Sequence, residues 1–302
     1  MMEEAVVSAA AAPPKAASGW RGVWAFVRAS WLNALAVAIV TIVVLMALVG
    51  PLLLGNKANA ADFSAILQGP SASHWLGTDN VGRDLLARIV AGARISLASA
   101  ALIVLLAAPF GCALGILAGM VGGWVDEVLM RFTDLFFAFP AFVLAAAIAA
   151  TLGPSLEHTI LAVAIVYWPW YARLARSQVL TLREREFVLA ARVSGSSTGG
   201  IVVRHMVRNV LPIVAIQMSA DAGNAILSIS ALSFLGLGAQ PPTPEWGTMM
   251  AGAQDYLQTA WWFLTFPGLT LTFTVLGFNL LGDGLRDWID PRLRGVLRGG
   301  RV

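Results

Sequence analysis

Gln217, Asp221 and Asn224 interrupt the apolar run from Leu211 to Leu235. Their spacing of i, i+4 and i+7 places them on one face of a helix. A carboxylate between two amides can pair with a cation, accept hydrogen bonds from a neighbouring helix, or face water. A central Asp costs about 2.5–3.5 kcal/mol on membrane-insertion scales, whereas each Leu, Ile, Val or Phe contributes about −0.3 to −0.6 kcal/mol. The face is therefore expected to turn toward a cavity or a partner rather than toward lipid.

Other chemistry is scarce. His74, His158 and His205 are far apart and adjoin no carboxylate cluster, so no metal site is expected. Cys112 is the only cysteine, which excludes an intrachain disulfide. No Ser/His/Asp set, HExxH motif or pair of carboxylates lies at reacting depth. A phosphate-cradling Walker A loop needs Lys preceded by Gly. The only lysines are Lys15, after Pro14, and Lys57, after Asn56. No catalytic residue and no cofactor are expected in this chain.

The elements that must position the polar face are apolar. The 302 residues are 58% hydrophobic and 12% charged, against about 25% charged in soluble domains. About 20 apolar residues cross the hydrocarbon core as a helix. Six stretches qualify, roughly 33–54, 95–121, 132–152, 158–179, 211–236 and 261–282. Runs of this length satisfy their backbone in lipid as helices. An all-α membrane protein with six transmembrane helices is predicted. Ala58-Asn59-Ala60 resembles a leader-cleavage site, but the run before it, Ala34 to Leu54, exceeds a leader's apolar core of about 7–15 residues. It is expected to stay in the membrane.

With six spans and both termini in the cytoplasm, sixteen of the twenty basic residues fall inside. The exceptions are Lys57, Arg83, Arg88 and Arg94. The last three lie on "GRDLLARIVAGARISL", where Leu85, Leu86, Ile89, Val90 and Ala93 share a face, read as a short interfacial helix before span two. Basic residues beside apolar spans, with no soluble basic domain, argue against nucleic acid as a partner. Residues 1–30 are Ala/Pro-rich and read as a poorly ordered tail. Gly111, Gly115, Gly119 and Gly123 repeat every four residues, a groove for close helix packing. Pro169 is expected to kink span four. Asp126, Glu127, Arg131 and Asp134 are expected to pair among themselves around the turn between spans two and three. "GLGAQPPTPEWG" is an external, Pro-rich loop.

The densest charge is internal. Arg173, Arg176, Arg183, Arg185, Arg192, Arg204 and Arg208 precede the fifth span. Topology alone does not explain their pattern. "EREFVLAAR" is good helix former, the glycine-rich "SGSSTGG" breaks it, and a second amphipathic piece ends near Pro212. Helix, break and helix make a compact protrusion whose small Ala190 and Ala191 fit a groove and whose arginines suit a partner's carboxylates.

Here the residues resemble a family. Ala190-Ala191-x3-Gly195 is similar to the EAA loop of ABC-importer permeases, with Leu189 where members carry Glu and Arg208 where they carry Pro. "HWLGTDNVGRDLLARIVAGARISL", "LSFLGLGAQPPTPEWG" and "FNLLGDGLRDWIDPRLRG" are similar to the peptide/nickel branch, and together the resemblance covers about residues 74–295. It implies a type I importer transmembrane domain in a bacterial cytoplasmic (inner) membrane. It implies a tail over 1–30, a first helix and external loop over 31–91, a permease core over 92–286 with the EAA loop at about 183–212, and a tail over 287–302. Arg185, Glu186, Ala190, Ala191, Arg192, Gly195, Arg204 and His205 become the ATPase-coupling residues. Implied partners are a sister permease, two ATP-binding subunits that hold ATP and Mg, and an extracytoplasmic solute-binding protein. Gln217, Asp221 and Asn224 then either line the translocation path and meet a peptide amine or a metal ion, or make a structural hydrogen bond. The cargo implied is a di- or oligopeptide or related solute, with nickel or a metal chelate as the alternative. A stand-alone secondary transporter or channel is the reading from another class. It predicts repeats, midplane breaks or a relay of buried ionisable groups, and no convincing repeat is visible.

Overall fold

The computed structural model describes residues 20–289, and its elements are helical. α1 (Trp20–Ala29) leads into α2 (Trp31–Leu54). A long connection then reaches α3 (Leu85–Val121), a helix of 37 residues. α4 (Gly123–Phe137), α5 (Ala141–Leu152) and α6 (Leu156–Leu182) follow. Next come α7 (Glu186–Val193), the single turn α8 (Thr198–Ile201), a π-helical segment (Val202–Val207) and α9 (Arg208–Phe234). α10 (Trp246–Gly252) and α11 (Trp261–Ile289) complete the described chain.

Among the described residues, four helices are long and apolar enough to cross a membrane, and a fifth span results if α4 and α5 count as one. The remaining expected stretch, 158–179, corresponds to α6, which is not among these candidate spans. Its last turns carry Arg173 and Arg176, and most of its apolar residues are buried against other helices. Pro169 lies inside this continuous helix.

Several expectations need correction. Residues 20–29 are helix, not tail: Phe26 is buried, its ring meets Trp288 edge-on at 6.0 Å, and its carbonyl accepts a 3.1 Å bond from Asn33 Nδ2. Of the expected tails at 1–30 and 287–302, residues 1–19 and 290–302 lie outside the described residues, and 287–289 belong to α11. The helix expected at the interface before span two is the first part of α3 itself, with Leu85, Ile89 and Ala93 buried in protein. The span expected at 132–152 is broken, α4 and α5 meeting at 85°. Pro140 lacks a donor and disfavours helix in the residue before it. At 1.5 Å per residue the 12 residues of α5 cover about 18 Å, short of a hydrocarbon core of about 30 Å.

α3 and α6 form the most extensive helix pair, running side by side in the same direction. A Cβ added at Gly111 or Gly115 would collide with the carbonyl oxygen of Trp168 or Ala172, and one at Gly119 would come within 2.8 Å of Val179 Cγ1. Gly123 is not in this groove. α3 ends at Val121, Gly123 has φ +57°, and a Cβ there would meet nothing within 4 Å.

The acids around the α3–α4 turn do not pair only with one another. Glu127 and Arg131 do, at 3.8 Å. Asp126 instead takes both Nε and Nη2 of Arg176, at 2.5 and 2.6 Å, and Asp134 takes Arg173 Nη2 at 2.6 Å. Arg173 also stacks over Phe137 at 3.8 Å. Two of the seven loop arginines thus clamp α4 onto α6.

Candidate functional site

Gln217, Asp221 and Asn224 do converge. With Ala141 of α5, Tyr167 and Trp170 of α6, and Leu227 and Ser228 of α9, they line a half-open cavity of ≈ 410 Å³, within the range of small-molecule sites, about 300–1,000 Å³. The break at Pro140 brings Ala141, the first residue of α5, to its wall. Gln217 Nε2 donates to Asp221 Oδ1 at 3.0 Å, one turn away on the same helix. The Tyr167 and Ser228 hydroxyls are bonded at 3.0 Å across α6 and α9. The buried Tyr171 hydroxyl lies beside the Asp221 carboxylate. Tyr167, Trp170 and Ser228 were missed in the sequence, where aromatic residues and serine inside apolar runs read as packing.

The second site is the protrusion at one end of the bundle. α7 starts after Arg185 and is anchored by Val188, fully buried in the cluster that also holds Val179, Ile201, Met206 and Val210. Glu186, Ala190 and Arg192 are exposed, and Ala191 is half-buried. Gly195, at φ +79°, turns the chain into α8, where Ser197 Oγ accepts from Gly200 N–H at 3.2 Å. Arg204 and His205 follow on the π-helical segment, His205 tilted against Phe187 at 5.8 Å. With Val203, Arg208 and Asn209 they line an open cleft of ≈ 590 Å³. The second piece does not stop near Pro212. It runs on as α9, with Pro212 inside the helix. The π-helical turns lie just before this proline, which leaves the Arg208 carbonyl without its usual donor.

The opposite end carries a cap that the sequence presented as a loop. Glu245 is fully buried. It accepts from Ser230 Oγ at 2.9 Å, Ser96 Oγ at 3.4 Å and the Thr248 amide at 2.9 Å. Trp246 Nε1 donates to the Ile89 carbonyl at 3.0 Å. Arg88, which the sequence left as a topological exception, is buried 3.5 Å from Asp79 Oδ2 and donates to the Ala58 and Pro242 carbonyls. Buried charges at this spacing could be read from a sequence only through their partners, which lie up to 154 residues away.

The sequence that folds in this way has known relatives. Residues 111–295, more than half of the chain, match the family described as binding-protein-dependent transport system inner membrane component. The chain belongs to this family. A dipeptide transport system permease protein of Alkalihalophilus pseudofirmus is 44% identical over 279 residues, covering 92% of each chain. A nickel transport system permease protein of Escherichia coli strain K12 is 41% identical over 268 residues, 89% of this chain and 97% of its own. A glutathione transport system permease protein of Pectobacterium atrosepticum is 42% identical over 239 residues, 79% of each. The protein is thus a multi-pass permease subunit of an importer, of the peptide/nickel kind.

Proposed function

We propose that this permease works in an ATP-driven importer supplied by a solute-binding protein, and that it imports di- or oligopeptides or related small solutes. It crosses the membrane six times with both termini in the cytoplasm, α4–α5 and α6 completing the set. A sister permease covers the polar cavity, and together the two subunits enclose the translocation path past Gln217, Asp221 and Asn224. The chain catalyses no reaction of its own. ATP and Mg belong to two partner subunits, consistent with lysines that fit no Walker A loop.

The observation that carries this reading is the protrusion. α7 is fixed to the bundle by buried Val188 while Ala190 and Arg192 face outward, so a push on α7 is passed to α3, α6 and α9 through one packed cluster. Small exposed residues rimmed by arginines suit a cleft on an acidic partner surface. A relative named for nickel transport at 41% identity supports nickel or a metal chelate as the alternative cargo.

The test is affinity isolation of the tagged chain from detergent-solubilised native membranes, with mass spectrometry and an ATPase assay. Recovery of a second permease, ATPase subunits and a binding protein is expected. Recovery of this chain alone, even after crosslinking, would overturn the reading in favour of a stand-alone transporter.

A further inference from the structure

The carboxylate of Asp221 lacks a matching charge. Among the described residues no Lys, Arg or His nitrogen lies within 4.0 Å of it. Its hydrogen bond from Gln217 comes from its own helix. From α6 the buried Tyr171 hydroxyl comes beside the carboxylate, but it is a neutral group and leaves the charge unmatched. A carboxylate at the middle of a membrane helix is otherwise held by a countercharge or a polar cavity. The surrounding residues Gln217 and Asn224, with amides, and Tyr167 and Ser228, with hydroxyls, line the same ≈ 410 Å³ space.

We infer that Asp221, with Gln217, Asn224, Tyr167 and Ser228, is a cation-binding subsite through which the charged group of the cargo passes, an alkylammonium or a hydrated divalent cation. This rests on the translocation-path reading above. The subsite is a transient one. Among the described residues no three His, Cys, Asp or Glu side chains gather as metal ligands, and a single carboxylate with neutral oxygens attracts a cation without stripping its water. Such a site favours passage, since conduction needs binding weak enough to release.

The chain's single cysteine makes the test direct. In a Cys112→Ala background, Leu227→Cys places a thiol on the cavity wall. The assembled importer in membrane vesicles is treated with methanethiosulfonate reagents bearing either trimethylammonium or sulfonate, in resting and vanadate-trapped states. Rates are corrected for each reagent's reaction with a free thiol. The expected result is a cation-to-anion preference of about tenfold or more, from a single nearby charge in a low-dielectric cleft. The preference should collapse in Asp221→Asn, survive in Asp221→Glu, and fall as ionic strength rises. The salt series, run without any change at Asp221, keeps the test valid if the Asn variant does not assemble. No reaction with either reagent in any state would overturn the path reading and the subsite with it. Reaction at equal corrected rates would leave the path and overturn the subsite. A preference that persists in Asp221→Asn, or that ignores salt, would also overturn it.

Discussion

Glu245 is fully buried, with four hydrogen bonds converging on it from Ser230, Ser96, the Thr248 amide and the Thr248 hydroxyl. Truncating it strands those donors, and an unsatisfied buried group costs about 1–3 kcal/mol. Glu245→Ala is therefore expected to lower the thermal unfolding midpoint of the purified permease by several degrees, while Glu245→Gln, which keeps an acceptor oxygen, loses much less. Equal midpoints for the two variants would show that the bonds do not hold the cap. Asp126 and Arg176 allow a second measurement at this scale. Their two-bonded pair is half-shielded, with 15% and 32% of the side chains exposed, so a double-mutant cycle to Ala should give a coupling of about 1 kcal/mol. The sequence could supply neither pairing. Local spacing suggested that Asp126 and Asp134 would find Arg131, because neighbours five and three residues away are visible along a chain and an arginine 50 residues away is not. By contrast, Gln217, Asp221 and Asn224 were legible at once. A period of 3.6 inside an apolar run declares a face without reference to anything else.

At the scale of elements, the four-residue glycine repeat runs past the end of its helix. Gly111, Gly115 and Gly119 bring α3 against the backbone of α6; Gly123 belongs to the turn beyond. The two situations predict different tolerances. Gly115→Ala forces a methyl group into the Ala172 carbonyl, and overpacking of this sort costs about 1–3 kcal/mol. Gly123→Ala meets no atom but must hold φ +57°, a penalty of about 1–2 kcal/mol for most residues that Asn relieves. Asn should thus be tolerated at position 123 and rejected at position 115, as judged by the unfolding midpoint and by yield of monodisperse protein. The break in α4–α5 was hidden for another reason. Hydropathy is blind to direction, and an 85° bend at a proline leaves the apolar count unchanged. α6 was legible as the apolar run at 158–179, although its arginines, paired to α4, dilute its apolarity.

Taken whole, the molecule joins an exposed protrusion to a polar membrane cavity through one packed cluster, and the consequence for transport can be measured. Ala190 is exposed, so Ala190→Glu leaves the bundle's packing alone while adding bulk and negative charge to the proposed docking face. The expected outcome is an unchanged unfolding midpoint with uptake reduced about tenfold or more, the equivalent of about 1.4 kcal/mol in partner affinity. Val188→Ala should act differently, lowering the midpoint as well, because a buried side chain is cut back in the cluster that links α7 to α9. If both variants lost the same stability, the protrusion would be part of the core and not a lever on it.

α10 has one more consequence. A surface loop between two helices normally flickers open, and its amides exchange with solvent on their own schedule. α10 cannot, because Glu245 ties it to both α3 and α9, Trp246 is bonded into α3, and Gly247 lies against the Ser230 carbonyl so closely that a Cβ would not fit. Deuterium uptake in Trp246–Gly252 should therefore be as slow as in the adjoining turns of α9. A rim braced in this way has no hinge, so any widening of that end of the protein requires α3 and α9 to travel with it.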